Sequence, residues 1–175
     1  MELWDLYTEN RERTGRTHIR GEEIPAGFYH LVVHVWIKNS KGEYLISQRS
    51  ATRPTFPLMW ECVGGSVLAG EDSLSGALRE VKEEVGLDFF PADGKLAYSI
   101  AGRVENGVKF NDILDVWLFH YDGNVSLENA TTDEVAQVKW MTVSEIRNLL
   151  DSGEMVNNLS YFLTEINTIN QENML

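Results

Sequence analysis

Three glutamates, Glu80, Glu83 and Glu84, lie close together in a segment whose apolar residues follow a helical period. At about 100° per residue, a helix brings all three carboxylates onto one arc beside its apolar stripe. Carboxylates at such short distances repel one another unless a cation neutralises them or water surrounds them. Hard divalent cations such as Mg²⁺ take oxygen ligands and bridge carboxylates to substrate phosphates. The spacing therefore indicates a metal site for phosphate chemistry, with a solvated charged helix face as the alternative.

The segment before these glutamates provides a turn and a second pair of charges. Gly65 and Gly70 flank a loop that enters the helix, and Glu71 lies eight residues before Arg79. This spacing allows an ion pair between Glu71 and Arg79, because a guanidinium can bind both oxygens of one carboxylate. Such a pair would tie the loop to the helix.

The helix that carries the glutamates is predicted over residues 72–85. Its apolar residues repeat at spacings of four, three and four, which places them on one stripe: Leu74, Leu78, Val81 and Val85. Gly86 stands where a C-cap glycine belongs. A second helix is predicted after Thr142 or Ser144, and a final amphipathic helix over residues 159–169.

Strands are predicted around these helices from β-branched and aromatic residues and from turn residues between them. The predicted strands are 28–37, 44–48, 59–63, 95–104, 108–121 and 135–141. Residues 2–24 are polar and predict a small hairpin with a turn at Thr14–Gly15–Arg16. Mixed strands with a few helices indicate an α/β sandwich around a mixed sheet. We expect an arm or hairpin over residues 1–25 and one globular domain over 26–175.

Composition limits the partners that this chain can have. Its 175 residues carry a net charge of −12, which disfavours a nucleic-acid backbone or an anionic membrane as partner. A phosphate-bearing substrate then requires bound cations or local arginines. Cys62 is the only cysteine, so an intrachain disulfide is excluded. The acidic N-terminus lacks the features of a signal peptide, and a cytoplasmic location is the default expectation.

The glutamate segment resembles the Nudix box, written G-x5-E-x7-R-E-U-x-E-E-x-G-U with U an aliphatic residue. All its specified positions are filled without a gap, by Gly65, Glu71, Arg79, Glu80, Val81, Glu83, Glu84, Gly86 and Leu87. The resemblance implies a Nudix-type α/β/α sandwich around a mixed β-sheet. It also implies a Mg²⁺- or Mn²⁺-dependent hydrolase that cuts the phosphoanhydride bond of a nucleoside diphosphate linked to another moiety, or of a related diphosphate.

Roles follow from the resemblance position by position. Glu80, Glu83 and Glu84 would be the catalytic metal ligands, helped by the carbonyl of Gly65, while Glu71 and Arg79 would pair structurally. The general base varies in the family, so a box glutamate and the later acids Glu134 and Glu105 are all candidates. Family members often dimerise, which makes a homodimer an expectation.

Two arginines outside the box are candidates for binding the substrate. Arg49 and Arg53 lie near Trp60 and Glu61 in the sequence, and a guanidinium grips phosphate oxygens in bidentate fashion. A solvated hairpin end is the equally weighted alternative for both.

Isomerase chemistry is the main rival prediction. Segments 4–10, 14–16, 29–31 and 39–45 look like isopentenyl-diphosphate isomerases, which share the Nudix fold and use a cysteine, a glutamate and a histidine-bound metal. His30 matches one of their metal-binding histidines. Their catalytic cysteine, however, lies in the turn before the helix, where this chain has Gly64–Gly65, and Cys62 comes earlier. A Nudix-fold binding module or regulator is a third possibility, which the intact box disfavours.

Overall fold

A computed structural model describes residues 2–105 and 107–165 of the chain, with Glu105 described by its backbone alone. Within these residues the strands are β1 (Leu3–Tyr7), β2 (Arg13–Ile19), β3 (His30–Lys38), β4 (Tyr44–Arg49), β5 (Trp60–Glu61), β6 (Val63–Ser66), β7 (Lys95–Ala101), β8 (Val104–Glu105), β9 (Val108–Lys109), β10 (Asp112–His120) and β11 (Val135–Met141). The helices are α1 (Ser73–Val85) and α2 (Val143–Asp151), and residues 161–165 are also helical. Short 3-10 turns lie at Pro91–Asp93, Leu127–Asn129 and Asn157–Leu159.

The central sheet is mixed, as the sequence predicts. Its strand order is β11-β4-β3-β10-β7, with β5 added to β4 and β6 added to β3. Strands β3 and β10 run parallel, and the other pairs in the sheet are antiparallel. β3 is central to the sheet and buried on both faces, which its run of valine, tryptophan and isoleucine allows.

Helices cover both faces of this sheet, which confirms the α/β sandwich. On one face Val33, Val35 and Ile37 of β3 pack with Ala77 and Val81 of α1. On the other face Trp36 packs with residues that include Ile146 of α2 and Phe162, whose ring stacks on Trp36 at 4.0 Å. The alternation of side chains along β3 thus joins the two layers through one strand.

The N-terminal hairpin is present, but its turn is not where the sequence analysis placed it. β1 and β2 pair antiparallel, and the chain reverses at residues 8–12, where the amide of Arg11 donates to the carbonyl of Thr8. Thr14–Gly15–Arg16 lies inside β2 instead. Between the pairs Asp5–Thr17 and Tyr7–Arg13, one residue of β1 opposes three of β2, so Gly15, at φ +74°, lies in a bulge rather than in a turn.

The hairpin is attached to the elements that carry the candidate site. Tyr7 and Tyr29 exchange backbone hydrogen bonds of 2.8 and 3.0 Å, and the amide of Ala69, in the loop before α1, donates to the carbonyl of Leu3. The proposed boundary between residues 25 and 26 stays a prediction.

Several predicted strands are divided in the structure. The segment predicted over 59–63 becomes β5 and β6, interrupted at Cys62, because the two strands pair with different neighbours. The predicted strand over 108–121 is split, and β9 pairs with β8 in a separate two-stranded sheet. The final helix is described only to residue 165, so residues 166–169 of that prediction lie outside the described chain. No helix in the described ranges combines the length and the apolar character of a membrane span.

Candidate active site

Helix α1 carries the three box glutamates, and local sequence fixes both of its ends. The Asp72 carboxylate caps the N-terminus by accepting the amide of Ser75 at 2.7 Å, and Gly86 closes the C-terminus at φ +72°. The apolar stripe packs on the sheet, and Glu80 and Glu84, which lie beside it, face the interior. These two side chains are buried, whereas the Glu83 side chain is 34% exposed.

Arg79 connects the loop and the helix through its whole guanidinium group. Its Nε and Nη2 donate to the two oxygens of Glu71 at 2.9 and 3.1 Å, and Nη2 also donates to the carbonyl of Ser66. The predicted Glu71–Arg79 ion pair is therefore present. Nη1 donates to both Glu80 and Glu83, at 2.8 and 2.9 Å. Two carboxylates of the box thus already share one positive nitrogen.

The Glu80 carboxylate lies directly against Gly65. A Cβ added at Gly65 would stand 2.4 Å from Oε1 and 2.7 Å from Oε2 of Glu80, so only glycine leaves room for the carboxylate. Burial raises the pKa of Glu80 to about 7, against the attraction of Arg79. The box glycine and the first box glutamate are therefore neighbours in space as well as in the motif.

Glu84 faces a further acid that the sequence analysis did not single out, Glu61 of β5. Burial raises the pKa of Glu84 well above its ordinary value, and repulsion from Glu61 and Glu80 raises it further. Burial likewise raises the pKa of Glu61, against the attraction of Arg49. The Glu84 carboxylate accepts one hydrogen bond, 3.3 Å long, from the amide of Gly64. Glu61, Glu80 and Glu84 thus form a buried group of acids that repel one another.

The chemistry of this group fits a hard divalent cation. Carboxylate oxygens are the ligands that Mg²⁺ and Mn²⁺ take, and the mutual repulsion of buried acids is relieved by a positive charge. In the described part of the chain, no three His, Cys, Asp or Glu side chains are already converged as a metal cage. Arg79 Nη1 now occupies the position between Glu80 and Glu83, so these two carboxylates would have to turn from Arg79 toward a metal.

Arg49 is buried and paired rather than solvated. Its Nη1 donates to both oxygens of Glu61 at 2.8 and 2.9 Å, and its Nε donates to the carbonyl of Thr55. Its side chain is only 9% exposed. The alternative of a solvated hairpin end is therefore wrong for Arg49, because Glu61 and the loop at Thr55 hold it inside.

Arg53, the other candidate outside the box, lies at the cavity beside Glu80 and Glu83. It forms an ion pair with Glu134, and together they border a small cavity of about 60 Å³ with Glu80 and Glu83. Arg20, at the end of the N-terminal hairpin, borders the same cavity and was not singled out from the sequence. The later acid Glu134 is thus brought to the box, whereas the Glu105 side chain lies outside the described chain.

The family of the chain follows from a comparison with known proteins. The model of the NUDIX domain matches residues 28–161, which include all of the motif and all strands of the central sheet. The chain belongs to the Nudix family.

Relatives of this Nudix protein agree with that assignment. An uncharacterized Nudix hydrolase of Listeria innocua is 40% identical over 159 residues, which cover 89% of each chain. Isopentenyl-diphosphate Delta-isomerase 1 of Cannabis sativa is 34% identical over 145 residues, which cover 71% of this chain and 49% of that protein. Among solved structures, DR0079 of Deinococcus radiodurans superposes with a TM-score of 0.71 at 23% identity, over 88% of this chain and 91% of that one.

The two residues that suggested isomerase chemistry lie in different places in this Nudix protein. The ring of His30 stacks on that of Trp4 in the hairpin, with 4.2 Å between the ring centroids, and burial lowers the pKa of His30 to about 4. Cys62 is buried beside Glu61 and Glu84, and burial together with these two acids raises its thiol pKa well above the ordinary value. The thiol therefore stays protonated near neutral pH.

Proposed function

We propose that this protein is a Mg²⁺-dependent hydrolase that cuts a phosphoanhydride bond. Its substrate would be a nucleoside diphosphate linked to another moiety, or a related small diphosphate. The observation that carries the proposal is the group of Glu61, Glu80 and Glu84, whose pKa values are all raised mainly by burial, with repulsion from Glu61 and Glu80 adding to the shift at Glu84. Membership of the Nudix hydrolase family supports it. Mn²⁺ as an alternative metal and a homodimer stay predictions.

The box residues would hold the cation. Glu80, Glu83 and Glu84 would provide carboxylate oxygens, and Gly65, which lies against the Glu80 carboxylate, would provide its carbonyl. A bound Mg²⁺ would offset the charge of the diphosphate and lower the pKa of an attacking water. The role of Arg79 is to position these acids, because it ties the helix to Glu71 and to the carbonyl of Ser66. A protein with net charge −12 needs such cations to admit an anionic substrate.

Arg53 and Arg20 would bind the phosphates that project from the cation. Both side chains border the small cavity next to Glu80 and Glu83. Each now pairs with an acid, Arg53 with Glu134 and Arg20 with Glu2. Phosphate oxygens can replace these carboxylates because guanidinium binds both kinds of oxygen in the same bidentate manner.

Glu134 is the acid that we propose as general base. It borders the cavity, and its side chain is 36% exposed, so water can reach it. A phosphate that took Arg53 from Glu134 would leave this carboxylate free to accept a proton from water. Binding and activation of the base would then be coupled through a single arginine.

Isomerase chemistry has less support. The relevant cysteine would have to stand at the turn before α1, whereas Cys62 precedes that turn, and its raised thiol pKa opposes proton transfer through a thiolate. Proton exchange on isopentenyl diphosphate that is lost in Cys62→Ala would nevertheless establish it.

The test is a hydrolysis panel of nucleotide and sugar diphosphates with and without Mg²⁺. We expect release of phosphate or of a nucleoside monophosphate that depends on the metal. Tight binding of a diphosphate without turnover would instead indicate a regulator, and the proposal of a hydrolase would be withdrawn.

A further inference from the structure

A second, larger cavity continues from the carboxylate site. It has a volume of about 230 Å³ and shares Arg20, Arg53 and the segment Gly64–Ser66 with the small cavity beside Glu80. A diphosphate held at the carboxylates would place its attached group in this space, which we call the side chamber. This step rests on the proposed function, since that function puts the diphosphate there.

His34 of β3 forms part of the wall of the side chamber. The residue is 7% exposed, and its ring edge lies against Gly64, where an added Cβ would stand 3.2 Å from Cδ2. Gly64 itself has no room for a side chain, because the same Cβ would stand 2.3 Å from the carbonyl oxygen of Val33. The close approach of the backbone at Gly64 thus brings the imidazole to the chamber.

The hydrogen bonds around Tyr161 fix which imidazole nitrogen carries the hydrogen. The hydroxyl of Tyr161 lies 3.0 Å from Nε1 of Trp36 and 3.0 Å from Nδ1 of His34. An indole N–H can only donate, so the Tyr161 oxygen accepts from Trp36. Among the described residues, Nδ1 of His34 is the other polar atom at hydrogen-bond distance, so the Tyr161 hydrogen is satisfied when Nδ1 accepts it. The hydrogen of the neutral ring therefore lies on Nε2.

The other imidazole nitrogen is available to a ligand. Burial lowers the pKa of His34 to about 3, so the ring stays neutral and keeps this arrangement at physiological pH. Nδ1 bonds to Tyr161, and the described residues give Nε2 no hydrogen-bond partner. Two further polar atoms of chamber residues, Nε of Arg53 and Oδ1 of Asn158, are buried without a partner. A polar group in the chamber would satisfy such atoms, whereas an isoprenyl chain would not.

We propose that His34 is a specificity-determining residue, which donates its Nε2–H to an oxygen of the group attached to the diphosphate. Tyr161 is its positioning residue. The substrate class is then a diphosphate that carries an oxygen-rich group such as a nucleoside or a sugar, and prenyl diphosphates are disfavoured because their chain offers no acceptor.

The first test is ¹⁵N NMR of the His34 ring, which reports the position of the hydrogen. In the wild type we expect hydrogen on Nε2, and in Tyr161→Phe a mixture of both tautomers. With Mg²⁺, the non-hydrolysable methylene analogues of ADP-ribose and UDP-glucose should shift the Nε2–H signal. Methylenediphosphonate, which lacks the attached group, should leave it unchanged. Hydrogen on Nδ1 in the wild type, or no difference between these ligands, would overturn the proposal.

The second test is kinetic and uses a matched pair of variants. His34→Phe removes the donor and should lower kcat/KM for nucleotide sugars about tenfold, mainly through KM. His34→Gln keeps an N–H near the position of Nε2 and should recover most of that loss. Equal losses in the two variants, with unchanged melting temperatures, would contradict a donor role. If the wild type hydrolyses nothing, the proposed function fails, whereas the NMR result still decides the role of His34.

Discussion

Buried acids occur in two kinds of surroundings in this protein, and the contrast distinguishes an acid with a structural role from acids of the candidate site. Asp115 of β10 is fully buried, which would raise its pKa, yet hydrogen bonds from Arg11 at 2.6 and 2.7 Å and from Ser99 outweigh burial and lower it. Glu80 and Glu84 are buried too, but their pKa values are raised. Hydrogen bonds within the fold stabilise the charged form of Asp115, whereas the surroundings of Glu80 and Glu84 disfavour their charged forms.

The difference teaches where a cation is needed. An acid such as Asp115 or Asp112 has a dedicated arginine, so a metal would add little there. The box acids share one nitrogen of Arg79 between Glu80 and Glu83, while Glu84 has an acid, Glu61, as its neighbour. Raised pKa values at grouped acids therefore mark the candidate site, since such perturbation collects at functional sites.

The largest effect is expected where a dedicated pair is broken. Arg103→Met leaves Asp112 buried and unpaired, because the two side chains are 8% and 4% exposed and joined at 2.7 Å. We expect a loss of about 3–5 kcal/mol in the free energy of unfolding, measured by urea denaturation. The double variant Arg103→Met with Asp112→Asn should recover part of that loss, and a single variant as stable as the wild type would break the contrast.

The opposite behaviour is expected at the box. Glu84→Gln should lower turnover at least about 100-fold because a metal ligand is lost. It should not destabilise the metal-free protein, since it removes repulsion from Glu61 and Glu80. Glu83→Gln should lower turnover similarly. Glu128→Gln, on the exposed 3-10 turn, is the matched control and should keep wild-type kinetics. Near-normal rates in both box variants at saturating Mg²⁺ would refute the assignment.

The raised pKa of Glu80 has a consequence for stability without metal. The pKa of Glu80 in the folded protein, about 7, exceeds its ordinary value. Protonation of Glu80 therefore adds to the free energy of unfolding. This contribution is fully present below pH 4.5 and is lost as the pH rises through 7. Glu80→Gln cannot titrate, so it should lose on the order of 2 kcal/mol less stability than the wild type between pH 5 and pH 8. Parallel melting curves of the two proteins across that range would show that Glu80 titrates normally.

A smaller effect is expected from Gly65→Ala. The new Cβ would displace the Glu80 carboxylate, and displacing a ligand should lower kcat/KM about tenfold and weaken the response to Mg²⁺. The melting temperature should barely change, because the displaced group is the end of a flexible side chain. Wild-type activity of this variant would separate Gly65 from the site.

The sequence was informative where local rules determine structure. The apolar period and the C-cap glycine Gly86 predicted α1, and the helical spacing predicted that Glu80, Glu83 and Glu84 lie on one side of it. The Glu71–Arg79 pair also followed from spacing along one loop and one helix. The hairpin turn was misplaced because a glycine such as Gly15 serves a bulge as readily as a turn.

Contacts between distant segments could not be predicted in this way. Glu61 lies on a strand of two residues, and it becomes part of the site because β5 pairs with β4 while α1 packs against β3 and β6. Arg20 reaches the cavity from the far end of the N-terminal hairpin. Arg49 was predicted to bind phosphate or to lie at a solvated hairpin end, whereas in the structure it pairs with Glu61. Sequence spacing carries no information on such neighbours.

The most direct test of a metal site at the box is to locate Mn²⁺ by anomalous scattering in crystals of the protein. We expect a peak at about 2.2 Å from carboxylate oxygens of Glu80, Glu83 or Glu84, with the carbonyl of Gly65 in the same shell. A box without a peak, in crystals that hold the ion at another pocket, would contradict it.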